Sequence, residues 1–200
     1  MIALIDYGAG NLTSVRKGFA AAGANLFTPV EPSDLDRARG IVVPGVGNFA
    51  ATAALEGAWT SAIRGTVDRG IPLLGICLGL QWLFEGSDEA PGVTGLGVIA
   101  GRCSRLPQAG SLKVPHVGWN SLHMARDSRL LHGVDESTQV YFTHSYAAPV
   151  THEAAATCEH GAVFAAAVEA NHVFGVQFHP EKSSDAGIRI LRNFVAATRS

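Results

Sequence analysis

Short apolar runs alternate with helical spacings through the first half of the chain. Ile2 to Ile5 has the length and character of a buried strand. Leu12, Val15, Phe19 and Ala22 then recur at three- and four-residue intervals, the spacing of one helix face. Asn25 to Phe27 is a weaker strand candidate. Gly40-Ile41-Val42-Val43 is a clear one and stops at Pro44-Gly45-Val46-Gly47. Helical spacing resumes from Ala50 to about Arg69, with Gly57 as an interruption. A second apolar run over residues 71–76 ends at Cys77, where a helix should begin. This order predicts an α/β fold: a mostly parallel central sheet flanked by helices. Ligands on such sheets sit beyond the carboxyl ends of the strands. Val43, Ile76 and a strand predicted over Val173 to Phe178 should all end on that rim.

The pattern changes after Gly95. Val98-Ile99, Val114 to Met124, Gln139 to Ala147, Ala155 to Cys158 and Val163 to Val168 read as β segments separated by turns. Glu169-Ala170-Asn171-His172 has the look of a hairpin turn. An additional antiparallel portion attached to the parallel sheet is therefore expected. The chain closes with an amphipathic helix from about Ser184 to Ala197, its buried face marked by Ile188, Leu191, Phe194 and Val195. No linker, internal repeat or low-complexity stretch is visible.

Composition narrows the class. Two hundred residues, 47% hydrophobic and 16% charged, suit one compact domain and argue against disorder. A net charge of −2 offers no broad basic surface, so nucleic acid is not an expected partner. No apolar run is long enough to span a membrane. The start, Met1 to Asp6, lacks the basic residues of a signal peptide. The three cysteines, Cys77, Cys103 and Cys158, are odd in number and widely spaced. They suggest neither a disulfide framework nor a zinc knuckle, and a reducing, cytoplasmic setting fits them.

Two stretches carry chemistry. Gly75-Ile76-Cys77-Leu78-Gly79 is a G-x-C-x-G turn after an apolar run. Small residues on both sides allow a strand to reverse sharply into a helix, which strains the central residue and presents its side chain. Cys77 would then sit at a helix N-terminus, a setting that favours a nucleophilic sulfur. The bland alternative is a small core cysteine. The second stretch is His179-Pro180-Glu181. In an extended segment residues two apart share a face, so His179 could serve as a base and Glu181 as its orienting carboxylate. Two metal ligands are the alternative, although no third ligand stands at short spacing. Cys103 and Cys158 lack a glycine elbow and read as inert.

Other segments admit two readings. Pro44-Gly45-Val46-Gly47 is either a plain βα turn or a pliable peptide that donates N–H groups to an oxyanion. Asp6-Tyr7-Gly8-Ala9-Gly10-Asn11 does not complete a dinucleotide fingerprint. His116 to Asn120 is either a buried Trp with satisfied neighbours or a recognition surface. Tyr141 to Tyr146 raises the same choice, and Thr143 and Ser145 would alternate onto one face. His123, His132, His152, His160 and His172 read as surface or turn residues.

Taken together, these segments resemble the class I, triad-type glutamine amidotransferases, over nearly the whole chain. Gly75 to Gln81 and Phe178 to Glu181 carry the superfamily likeness. Asp6 to Asn11, Pro44 to Gly47, Pro115 to Asn120, Tyr141 to Tyr146 and Glu181-Lys182-Ser183 narrow it to the glutaminase subunits of imidazole glycerol phosphate synthases. Val117, Thr143 and Trp82 depart mildly from the pattern. The resemblance implies one amidotransferase domain over 1–200, of flavodoxin-like three-layer form, without cofactor or metal. It implies hydrolysis of L-glutamine by Cys77, His179 and Glu181. Val46, Gly47 and Leu78 would form the oxyanion hole. Gly45, Gln81, Glu89, Thr143, His144 and Ser145 would hold glutamine. The implied partner is a (β/α)₈-barrel cyclase subunit, met by Asn11, His116, Trp119, Tyr141 and Lys182.

Overall fold

The computed structural model describes residues 1–108, 110 and 112–199. β1 (Ile2–Leu4) leads into α1 (Leu12–Ala21) and a short β2 (Leu26–Phe27). β3 (Gly40–Gly45), α2 (Ala58–Asp68) and β4 (Leu73–Cys77) follow, and α3 (Leu78–Leu83) leaves β4 without a loop. Gly57 divides the second helical stretch as expected. A 3₁₀ segment, Phe49–Leu55, precedes it, and Gly57 itself takes φ +73°. Next come β5 (Gly86–Ser87), β6 (Arg102–Arg105), β7 (His116–Ser121) and β8 (His123–Met124). β9 (Gln139–His144), β10 (Tyr146–Ala147), β11 (Ala154–Glu159), β12 (Val163–Ala170) and β13 (Val173–Val176) lead to α4 (Ser184–Ala197).

Eight strands form the central sheet in the order β2-β1-β3-β4-β13-β12-β11-β8. The first five run parallel, and β12, β11 and β8 extend the sheet antiparallel. β7 and β9 make a separate antiparallel ribbon, and β10, β6 and β5 a third small sheet. Alternation along the strands sends side chains to two cores. Leu4, Val42, Leu74 and Ile76 meet α1 and α4 through Val15, Phe19, Leu191 and Phe194. Ala3, Ile5, Ile41 and Val43 meet α2 and α3 through Ile63, Leu78 and Leu80 on the other face. Each fully buried Leu, Ile or Phe removed from water contributes about 1.5–3 kcal/mol, which is what holds the layers together. The parallel register places the ends of β3, β4 and β13 side by side, with Gly45 opposite Cys77.

Four expectations are corrected. Val98-Ile99 is a bend rather than a strand; both N–H groups donate to the Leu83 carbonyl at the end of α3, and the pairing strand is Arg102–Arg105. The β13 strand stops at Val176, not Phe178. His179 and Glu181 do not lie on an extended segment: Pro180–Lys182 is a 3₁₀ turn that begins at the proline. Proline fixes its own φ near the helical value and has no N–H to give a ladder, so it opens a turn there. On α4 the buried face uses Gly187 and Ile190, while Ile188 is only half-buried. Among the described residues no helix is long and apolar enough to cross a membrane, and no group of three His, Cys, Asp or Glu side chains could hold a metal.

Candidate active site

Cys77 ends β4 with φ +54°, ψ −105°, a conformation that an L-residue adopts only under strain. The flanking glycines are required by space. A Cβ on Gly75 would lie 2.5 Å from the carbonyl oxygen of Gly79, and one on Gly79 would collide with the carbonyl of Val43. The elbow is thus clamped between its own helix and β3. Cys77 is 5% exposed. Its sulfur approaches the Thr143 carbonyl at 3.9 Å and receives the side-chain amide of Gln177 at 3.7 Å.

His179 and Glu181 come together through the turn rather than along a strand. Nδ1 of His179 bonds Oε1 of Glu181 at 2.8 Å, and both side chains are buried. The His179 N–H donates to the Tyr141 carbonyl at 2.9 Å. Ser183 locks the turn: its hydroxyl donates to the His179 carbonyl at 2.7 Å and accepts the Tyr141 N–H at 3.0 Å. Burial by itself would lower the pKa of His179. The close contacts with Cys77 and Glu181, together with their charges, override burial and raise it to about 10. Nε2 makes no bond of normal geometry, so its contact with Cys77 is looser than a full hydrogen bond.

A cleft of about 290 Å³ opens at this point, lined by Gly47, Cys77, Leu78, Gln81, Glu89, Pro115, Thr143, His144, Ser145 and Tyr146. Most of the sequence-predicted substrate residues therefore meet at one place. Gly45 is buried and Val46 is 39% exposed; neither lines the cleft, which the segment reaches through Gly47. Glu89 accepts the Phe49 N–H at 2.8 Å. Gln81 is buried, and its amide donates to the Tyr146 carbonyl at 2.8 Å and to Gln177 Oε1 at 3.2 Å. A wider crevice of about 1070 Å³ on the 124–134 segment contains none of the candidate residues. The chemistry-bearing groups, not the volume, locate the site.

The family model for glutamine amidotransferase class-I matches residues 3–198. The chain belongs to this family. It is 46% identical over 202 residues to the imidazole glycerol phosphate synthase subunit HisH of Methanothermobacter thermautotrophicus, covering all of both chains. It is 47% identical to the HisH of Halobacterium salinarum, covering 97% of this chain and 92% of the other. A crystal structure of a glutamine amidotransferase superposes with TM-score 0.77 at 18% identity over 100% of both chains. PurLQS from Thermotoga maritima does so with TM-score 0.76 at 16% identity, over 98% and 97%. These structures share the fold.

In this amidotransferase the β7–β9 ribbon covers one side of the cleft. Trp119, 50% exposed, pairs across the ribbon with Tyr141, ring centroids 6.1 Å apart. The Lys182 ammonium lies 5.7 Å from the Tyr141 ring centre. Asn11, exposed, caps α1 by accepting the Ser14 N–H. His116 differs from these four in being buried, stacked between Phe142 and His160. It supports the outer face without forming it. His160 is likewise no simple surface residue: it is half-buried in this stack, and its Nε2–H donates to the Lys113 carbonyl.

The hydrogen bonds fix the tautomers beneath the ribbon. Nδ1 of His144 faces the Tyr146 carbonyl at 2.9 Å and must donate. Its Nε2 therefore accepts, at 3.1 Å, from Nδ1 of His116, whose Nε2 accepts from the Asn120 amide at 3.3 Å. Burial pushes His144 down to about 3 and His116 to about 4, so both rings are neutral. Both ring nitrogens of His144 are occupied, which leaves its backbone for the cleft. Cys103 and Cys158 are buried free thiols whose pKa values burial raises, Cys158 to about 12. Sequence reasoning assigns no role to Gln177, to Ser183 within its motif segment, or to Gly18, where an added Cβ would come within 3.0 Å of Glu181 Cβ. Gln177 adjoins the Phe178-His179-Pro180-Glu181 segment, and that adjacency was the available signal.

Proposed function

We infer that this chain is the glutaminase subunit of an imidazole glycerol phosphate synthase, acting in histidine biosynthesis. It hydrolyses L-glutamine to glutamate and ammonia. The observation that carries the reading is the strained Cys77 elbow beside the buried His179–Glu181 pair, in a cleft sized for one small polar molecule.

The thiolate of Cys77 attacks the side-chain amide carbon, forming a C–S bond. The C–N bond breaks as His179 passes its ring proton to the nitrogen, and ammonia leaves. His179 then takes a proton from the water that attacks the thioester. The C–S bond breaks and glutamate is released. Glu181 orients the imidazole and balances its charge. The N–H of Leu78, with that of Val46 beside Gly47, stabilises the tetrahedral oxyanion. Gln81, Glu89, Thr143 and Ser145, with the backbone at Gly45 and His144, hold the substrate. Ammonia passes to a (β/α)₈-barrel cyclase subunit in a heterodimer, where it completes imidazole glycerol phosphate. Asn11, Trp119, Tyr141 and Lys182 meet that partner, with His116 behind them. The three free, buried cysteines support a reducing, cytoplasmic setting.

Ammonia release from L-glutamine, with the chain alone and with a barrel cyclase and its nucleotide, tests the reading. Low activity alone, strong stimulation by the pair and loss in Cys77→Ala are expected. Wild-type ammonia release from Cys77→Ala removes the assignment.

A further inference from the structure

Tyr7 has no part in the chemistry above, yet it lies directly beneath it. The ring packs against the apolar cluster that contains Ile5, Val43 and Leu78. Its hydroxyl oxygen is buried and has no hydrogen-bond partner. A buried hydroxyl without a partner is uncommon because it has given up water for nothing. Its position supplies the reason. The hydroxyl sits over Gly45 on the side where a side chain would project: a Cβ there would collide with the Tyr7 oxygen and come within 2.7 Å of Leu78 Cβ. Gly45 is the last residue of β3 and the hinge into Val46 and Gly47. At the other end Gly47 takes φ +95°, with open space around it.

The geometry points to Tyr7 as a positioning residue for the oxyanion peptide: its hydroxyl donates to the Gly45 carbonyl once the Gly45–Val46 peptide has rotated. The C=O and N–H of a trans peptide point in opposite directions. Tyr7 packs with the core on one face of the sheet, whereas Cys77 belongs to the core on the other. A Gly45 carbonyl drawn toward Tyr7 therefore aims the Val46 N–H at the Cys77 face, beside the N–H of Leu78. Burial first, and the charge of Cys77 second, raise the pKa of the phenol. It stays protonated and can donate. The hydroxyl is free to make this bond, which forms only with the oxyanion-competent peptide. This inference rests on the glutaminase reading above.

Tyr7→Phe removes the hydroxyl and little else. It is compared with wild type in the complex with the barrel cyclase and its nucleotide, with Cys77→Ala as the blank. We expect kcat to fall about 10-fold, with KM changed less than about twofold. Inhibition by L-glutamate γ-semialdehyde, whose adduct with Cys77 carries an oxyanion, should weaken by a similar factor. The thermal midpoint of the free chain should stay level or rise, because an unsatisfied buried hydroxyl is gone. An unchanged kcat overturns the proposal. So does a fall in kcat that comes with a lowered midpoint or with undiminished aldehyde inhibition. A wild-type complex that releases no ammonia overturns the glutaminase reading and this inference together, whereas active wild type and equally active Tyr7→Phe overturn only this one.

Discussion

His179 at the sheet rim and His144 beneath the ribbon are both buried beside the same cleft, and they hold their protons oppositely. His179 faces a carboxylate and a thiol, and its pKa rises to about 10. His144 faces a carbonyl on one nitrogen and a neutral imidazole on the other, and burial lowers it to about 3. Loss of water disfavours the charged form at both places. What differs is whether an anion replaces the water. The rim has a charged ring that can deliver a proton; the ribbon has a chain of neutral rings that can only orient. A histidine's role in this molecule is therefore set by its neighbours and not by its depth.

The largest test of this contrast is Glu181→Gln. It keeps the shape of the His179 contact and removes the anion. Glutaminase kcat should fall about 10²–10⁴-fold. The His179 ring, followed by NMR, should titrate well below 10, toward its ordinary 6.5. A ring still titrating near 10 would assign its charge to Cys77 alone and break the contrast.

Stability against pH should show two limbs. The folded pKa of His179 lies above 6.5, so its contribution is complete below 6.5 and is lost as pH rises toward 10. The folded pKa values of His116 and His144 lie below 6.5, so their neutral forms favour the fold above 6.5. That contribution is lost as pH falls toward about 4 for His116 and about 3 for His144. Each titrating group adds a slope of at most about 1.4 kcal/mol per pH unit. Urea unfolding at about pH 5, 7 and 9 should find the maximum in the middle. A curve that is flat from neutral to acid would mean that the ribbon histidines are solvated.

His116→Phe has the smallest expected effect. Phenylalanine preserves the stacking with Phe142 and His160 but gives His144 no donor and Asn120 no acceptor. A cost of about 1–3 kcal/mol in unfolding free energy is expected, with a shallower acid limb and little change in kcat. A large loss of kcat at full stability would instead place the relay within the chemistry.

The candidate site is partly legible in the sequence. The glycines around Cys77 mark an elbow because backbone atoms at that spacing leave no room for a side chain, and the contacts of Gly75 and Gly79 show that crowding. Val43, Ile76 and the last parallel strand were placed on one rim by alternation alone. The His179–Glu181 pairing was anticipated on the wrong local geometry, since a proline-started turn brings the two together. The contacts of Gln177, Ser183 and Tyr7 are not legible in the sequence, although Ser183 and Tyr7 lie in the segments that carry the family resemblance. Gln177 meets the Cys77 sulfur across 100 residues of chain, and Ser183 meets Tyr141 across 42. Contacts at such separations leave no periodic trace.

By itself the sequence determined what short-range sterics and hydrophobic spacing can encode: the strand–helix order, the strained cysteine and the glycine hinges. Only the tertiary structure decided which groups replaced water around each buried atom. It made His179 a cation and His144 a neutral donor, and it set the unpartnered Tyr7 hydroxyl against Gly45. The reason is physical. Backbone strain is fixed within a few bonds, whereas the charge and hydrogen-bonding state of a buried group is a sum over neighbours that the chain brings together only by folding.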